Sequence, residues 1–236
     1  MMEGVVLMVG LSGGMGVLQP EVRQDGSMRA VMRDGQTEGR VLLSEVAEGP
    51  GAIAVGALEG LGGEVTIVEG EAWVSRVVDG ELVVTGPEVV GDDRAALLTR
   101  ADVKAWHGPA IFQSEAEGSS LELLIRIGAE QRGLDVTRPI PFVIEGEVVA
   151  MDLHVVNGLC PVVHGDEAAK PWRLSIDEPM EARVVGFFAP DAVGVMTHHG
   201  TSIHAHAVLE IDGRMVTGHV DRVRVGVGAT MRLGVE

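Results

Sequence analysis

Apolar positions follow a helical spacing only briefly at the start of this chain, then give way to short, strand-like blocks. Met28, Val31 and Met32 share one helical face, and Val41, Leu42 and Val46 share another, with Thr37 placed to cap the second segment. From Ala52 the texture changes. Apolar runs over 65–68, 72–78 and 82–85 are separated by Glu69-Gly70 and Asp79-Gly80. A polar residue followed by glycine between two such runs is a hairpin signal, so this region is predicted to be an antiparallel meander.

Residues 87–118 are mixed, with a short helix predicted over 101–106. Ser119 or Ser120 then stands where it would cap an amphipathic helix over 121–132, and Gly133 is placed to end it. Beyond Pro139 and Pro141 the spacing predicts a strand over 142–144, a turn at Glu145-Gly146 and a strand over 148–156. A polar, proline-containing stretch, 157–179, separates this from a β-rich end that begins at Ala182. The predicted fold class is α+β: largely antiparallel or mixed sheets with a few helices, in two sheet-based subdomains sharing a core. Residues 1–21 read as a lead-in, 22–135 as the first subdomain and 136–236 as the second.

The sharpest local pattern lies between Gly200 and His219. Asp212-Gly213 is a favoured two-residue turn. If Ile211 faces Arg214, then Leu209 faces Val216 and His206 faces His219. Directly opposed residues share one face of a sheet, with Cβ atoms about 4.5–5.5 Å apart. His204, two residues before His206, points to that same face, while Ala205, Ala207, Leu209 and Ile211 point to the other. Three imidazoles thus converge without any assumption about distant folding. Three neutral nitrogens and an open position suit a catalytic Zn²⁺, whereas structural zinc normally takes four protein ligands. The competing reading is a row of surface histidines on a solvent-facing strand. His198 and His199, in the preceding loop, read as exposed loop residues rather than contacts to the site.

Composition narrows the partners. With 35 acidic and 18 basic residues the chain carries a formal charge of −17, which argues against nucleic acid and against a basic membrane-binding patch. Cys160 is the only cysteine, so an intrachain disulfide is excluded. The apolar run 5–11 is too short to span a bilayer, and no basic residue precedes it. A cytoplasmic protein is expected, with secretion through a trimmed signal as the alternative.

At this point the ordered motifs resemble the α-acetolactate decarboxylase family. His204-Ala205-His206 followed by Gly218-His219 is similar to that family's zinc-binding strand pair. The stretch from Gly56 to Glu64 running into 65–70, the segments at Ser27-Met28 and Leu42-Leu43, and the run from Pro141 to Gly146 extend the likeness over most of 22–235. The resemblance implies a Zn²⁺ enzyme, a homodimer, acting on a small 2-hydroxy-3-oxo acid such as acetolactate. Zinc would chelate the hydroxyl and carbonyl oxygens, and loss of CO₂ would leave an enediolate that ends as acetoin. Glu64 matches the family's acid, the proton carrier, and His154, counted from Gly146, falls where the family has an arginine that contacts the carboxylate.

The departures are specific. Ala57 stands for a threonine, Gly62 for an aspartate and His154 for the arginine, and the chain stops at Glu236, short of an extension that supplies another carboxylate. Imidazole is shorter than guanidinium and lacks its bidentate fork. The chain has no tyrosine, which excludes a phenolic proton donor. A metal-binding relative without catalysis is therefore the alternative expectation. Plant and prokaryote conserved domains also carry His-x-His followed by Gly-His, but they are smaller and leave 27–85 unexplained.

Overall fold

The computed structural model describes residues 7–8, 18–88, 91–158 and 170–236. Cys160 and most of the lead-in lie outside the described residues. In chain order the elements are β1 (Leu7–Met8), β2 (Val22–Asp25), α1 (Met28–Met32), β3 (Val41–Leu42), α2 (Leu43–Val46), β4 (Ala52–Leu58), β5 (Glu64–Val68), β6 (Glu71–Val78), β7 (Glu81–Thr85) and β8 (Arg94–Asp102). Then follow β9 (Ala105–Trp106), β10 (Ala110–Phe112), β11 (Ala116–Glu117), α3 (Ser119–Gln131), β12 (Ile140–Val155), β13 (Trp172–Ile176), β14 (Met180–Phe188), β15 (Ile203–Ile211), β16 (Arg214–Val225) and β17 (Thr230–Val235). The fold is α+β, dominated by antiparallel sheet.

The meander forms as its pattern predicts. Glu69-Gly70 and Asp79-Gly80 take positive φ at both positions, which suits two-residue turns between right-twisted strands. These strands belong to a seven-stranded sheet ordered β2-β8-β4-β5-β6-β7, with β3 also on β8. A ten-stranded sheet runs β1-β10-β17-β12-β14-β15-β16-β11, with β13 on β12 and β9 on β17. Because β12 also pairs with β16, the strands β12, β14, β15 and β16 close on one another.

Three apolar layers follow from strand alternation. On its outer face the seven-stranded sheet buries Ala54, Val65, Ile67 and Leu98 against Leu43 and Val46 of α2. Its inner face sets Ile53, Val55 and Val68 against Val143, Val185 and Phe187 of the larger sheet, a core that both sheets share. On the far side, Leu121, Leu124 and Ile125 of α3 pack on Phe142, Val184 and Ala205. Each Val, Leu, Ile or Phe side chain among these contributes roughly 1.5–3 kcal/mol when fully buried.

Several expectations are corrected. Glu145-Gly146 does not turn: β12 runs through it, and Gly146, at φ 127°, bends the strand where an added Cβ would lie 2.9 Å from the Cα of Ala229. One edge of the strand stays on β14 through Gly146, while the other changes partner there, from β17 to β16, so both halves stay hydrogen-bonded without reversing. No helix forms over 101–106, because Ala101 pairs with Val22 and Trp106 with Gly234, and ladder partners override a weak local preference. Thr37 caps nothing; its carbonyl accepts from Gly60 N, and Leu42 precedes α2. Gly118, not a serine, caps α3, since the Ser120 hydroxyl turns back to the Glu117 backbone. The stretch 157–179 contains β13, paired with the end of β12.

Candidate metal centre

The hairpin that organises the site forms with the predicted register. Asp212 and Gly213 take φ values of 50° and 75°, and Ile211 pairs with Arg214, Leu209 with Val216 and His206 with His219. His204, His206 and His219 each offer a ring nitrogen, and these atoms lie within 4.8 Å of one another. The glycine before His219 has a local cause. A Cβ on Gly218 would sit 2.7 Å from the carbonyl oxygen of His154, so only glycine lets β16 lie this close to β12.

The solvent-facing alternative fails on burial: His204, His206 and His219 are 2 %, 0 % and 7 % exposed. The seven-stranded sheet covers them. From β8, the Thr99 hydroxyl donates to Gln24 Oε1 at 2.6 Å, so its oxygen is left to accept from His204 Nδ1, 3.4 Å away. From β5, the Thr66 hydroxyl lies 3.0 Å from His206 Nδ1 and 2.8 Å from the Thr217 hydroxyl. Nδ1–H donation to these oxygens leaves each Nε2 with a free lone pair. His206 Nε2 has no hydrogen-bond partner among the described residues although it is fully buried. An orphaned buried acceptor among imidazoles is what a metal ligand looks like without its ion.

Electrostatics keep these rings neutral. Burial pushes His204 down to about 3, aided by His198 and His154, and holds His206 and His219 well below the ordinary range. Glu64, at the start of β5, is 4 % exposed, and burial raises its carboxyl to about 7. Its Oε2 is 3.8 Å from His206 Nε2, and with the ring neutral and the carboxyl raised this contact is not an ion pair. Glu64 Oε1 also accepts from Val156 N at 3.4 Å.

His154 pairs with His219 across β12 and β16, their ring centroids 4.8 Å apart. Its Nδ1 lies 2.8 Å from Asp221, whose other oxygen binds Arg173 at 2.8 Å. Burial opposes charge on His154, but the Asp221 hydrogen bond and the nearby carboxylates outweigh it and raise its pKa. His154, His219 and Asp221 also lie close enough to form a second ligand set, yet both Asp221 oxygens are already engaged. A cavity of about 30 Å³ at the histidines is lined by Glu64 and His154 together with Met28, Leu61 and Leu97.

Of the five sequence-predicted residues, Glu64, His154, His204 and His219 line this cavity, and His206 lies beside it, its ring centroid 5.6 Å from that of His204 and 5.5 Å from that of His219. His198 is exposed, as expected, but its ring also stands edge-on 5.2 Å from that of His219. Thr66, Thr217 and Asp221 were missed, although each lies two residues from Glu64 or His219 and so shares its face. Thr99 had no such signal.

No protein-family model matches the sequence, and no curated protein matches it. Solved structures do. An acetolactate decarboxylase from Bacillus subtilis subspecies spizizenii aligns over 91 % of this chain and 86 % of its own, with TM-score 0.70 and 17 % identity. The chain has the acetolactate decarboxylase fold. An α-acetolactate decarboxylase from Bacillus subtilis strain 168 gives TM-score 0.70 at 18 % identity, over 91 % of this chain and 85 % of that one. A Staphylococcus aureus protein of unknown function, similar to alpha-acetolactate decarboxylase, gives 0.68 at 17 %, with the same coverage. Within this acetolactate decarboxylase fold, Ala57 and His154 both line the cavity at the histidines.

Neutral buried imidazoles make a prediction for metal-free protein. Unfolded histidines titrate near 6.5 and these titrate lower, so in between the unfolded chain binds more protons, and stability falls as pH drops below 6.5. Glu64 and His154 act oppositely: the raised Glu64 carboxyl stabilises the fold below 4.5, an effect lost as pH rises through about 7, and the raised His154 stabilises it below 6.5 and less as pH rises. Three strongly lowered groups outweigh these two. Chelator-treated protein should melt lower at pH 5 than at pH 7, and equal or higher melting at pH 5 would contradict neutral burial.

Proposed function

We propose that this protein is a zinc-dependent carbon–carbon lyase that removes CO₂ from a small 2-hydroxy-3-oxo acid such as acetolactate, giving acetoin. The observation that carries this reading is the unpartnered Nε2 of His206, buried among neutral imidazoles 3.8 Å from Glu64 in a chain with the acetolactate decarboxylase fold. His204, His206 and His219 would hold the ion, and three nitrogen ligands leave room for substrate oxygens. Bound there, zinc supplies a Lewis acid that stabilises negative charge on the substrate oxygens as the carbon–carbon bond breaks.

The remaining work falls to the chain's own residues. Loss of CO₂ leaves an electron pair on the carbon skeleton, which must take up one proton. Glu64, with its carboxyl raised to about 7, is partly protonated at neutral pH and is the carrier of that proton. His154 contacts the substrate carboxylate. Asp221 fixes its Nδ1, which turns Nε2 toward the cavity and favours the imidazolium. Met28, Leu61 and Leu97 give the same cavity an apolar lining, which disfavours water there.

A metal-binding relative without catalysis is the second reading, favoured by Ala57 and His154, since one imidazolium N–H holds a carboxylate less firmly than a guanidinium fork. An acetoin assay on racemic acetolactate, with zinc content verified, separates the two. The enzyme reading predicts weak turnover that disappears with chelation and returns with zinc. No acetoin at full zinc would leave the second reading.

A further inference from the structure

In a chain with 35 acidic and 18 basic residues, a concavity without carboxylates is unusual. One of about 290 Å³ lies between α1 and the loop before β15. Its polar lining is Arg29, Arg33, Thr197, His198 and His199, with no Asp or Glu. The groove beside β2 and β8 shows the contrast: Glu21, Glu45, Glu48 and Asp102 there intersperse with Arg23, Arg100 and Lys104.

Three further features point to a ligand. Arg29 and Arg33 stand one helical turn apart and are exposed, and neither guanidinium makes a hydrogen bond or ion pair among the described residues. Thr197 is 0 % exposed, and its hydroxyl has no partner among the described residues. The groove also adjoins the metal pocket, since Met28, Met32 and His198 line both. The wall is held in place by backbone bonds from Met28 N to Val195 O, 3.0 Å, and from Arg29 N to Gly194 O, 2.8 Å.

We propose that this groove is an anion-receiving vestibule, in which Arg29, Arg33 and the Thr197 hydroxyl bind the carboxylate of a small organic acid before it reaches the metal pocket. The inference rests on the metal-centred reading of that pocket. The cavity at the histidines measures only about 30 Å³, so the groove, at about 290 Å³, is the larger of the two adjoining spaces. A chain of net charge −17 also repels anions at long range, and two guanidiniums without a partner among the described residues reverse the sign at the opening. Screening confines that reversal to about 8 Å at physiological ionic strength, which is the scale of the groove.

The test uses zinc-loaded protein and 2-hydroxyisobutyrate, which has the carboxylate and hydroxyl but no ketone and so is not decarboxylated. Its neutral amide is the control. Calorimetry at low and physiological salt should show about fivefold to tenfold weaker binding of the anion by Arg29→Gln/Arg33→Gln, with a flatter salt dependence. Arg29→Lys/Arg33→Lys should restore most of the affinity, and the amide should not distinguish the proteins. Zinc content and melting temperature verify that the exposed substitutions leave the fold intact. Unchanged anion affinity in the glutamine pair, or equal responses of anion and amide, would overturn the vestibule. Arginine-dependent anion binding without acetolactate turnover would uphold the vestibule and remove the decarboxylase. Turnover with kcat/KM unchanged in the glutamine pair would do the reverse.

Discussion

A Glu64→Gln variant loses acetoin formation by at least about 100-fold while keeping its zinc, the scale expected when a positioned proton carrier is removed. Glutamine has the shape of glutamate, and its amide oxygen can still accept from Val156 N, so the contact seen at 3.4 Å survives. The fold should tolerate the change for a second reason. Burial already raises the carboxyl to about 7, so a neutral side chain replaces one that is neutral much of the time and strands no buried charge. What disappears is the titratable proton beside His206. Acetoin formation and zinc content are measured on both proteins side by side. Equal activity would remove Glu64 from the chemistry, and joint loss of zinc and activity would assign it to assembly of the site.

His206→Ala is expected to remove the metal itself. His206 is the central ligand of the three: it lies opposite His219 on β16 and two residues from His204. Two remaining imidazoles make a far weaker site, and since an unfolded chain has no preformed site, metal affinity adds directly to folding stability. At a zinc concentration 100 times its dissociation constant the gain is about 2.7 kcal/mol, or roughly 5–10 °C in melting temperature for a chain of this size. Wild-type protein should show that shift on adding zinc, and His206→Ala should show none. A shift of the same size in the variant would place the zinc elsewhere.

How much of this was legible in the sequence depended on distance along the chain. The register of His206 against His219 followed from a two-residue turn and a period of two, both local rules. The burial of those histidines did not follow, because their cover, Thr66 and Thr99, arrives from a sheet more than one hundred residues away. Thr66 was within reach as the second residue after Glu64. The misread turn at Glu145-Gly146 has a different origin: the same dipeptide serves a hairpin or a bent strand, and only the approach of Ala229 and the change of partner decide which. The predicted helix at 101–106 failed similarly, since ladder partners at Val22 and Gly234 lie far away in sequence. His154 was reached only by counting along a resemblance, while the Asp221 and Arg173 that hold it were not foreseen.

We propose that His204, His206 and His219 together hold one metal ion. Elemental analysis of purified wild type and His206→Ala, after equal exposure to zinc and removal of excess, tests it most directly. About one zinc per wild-type chain and almost none in the variant is the predicted result. Equal zinc in both proteins, or none in either, would contradict the three-histidine centre.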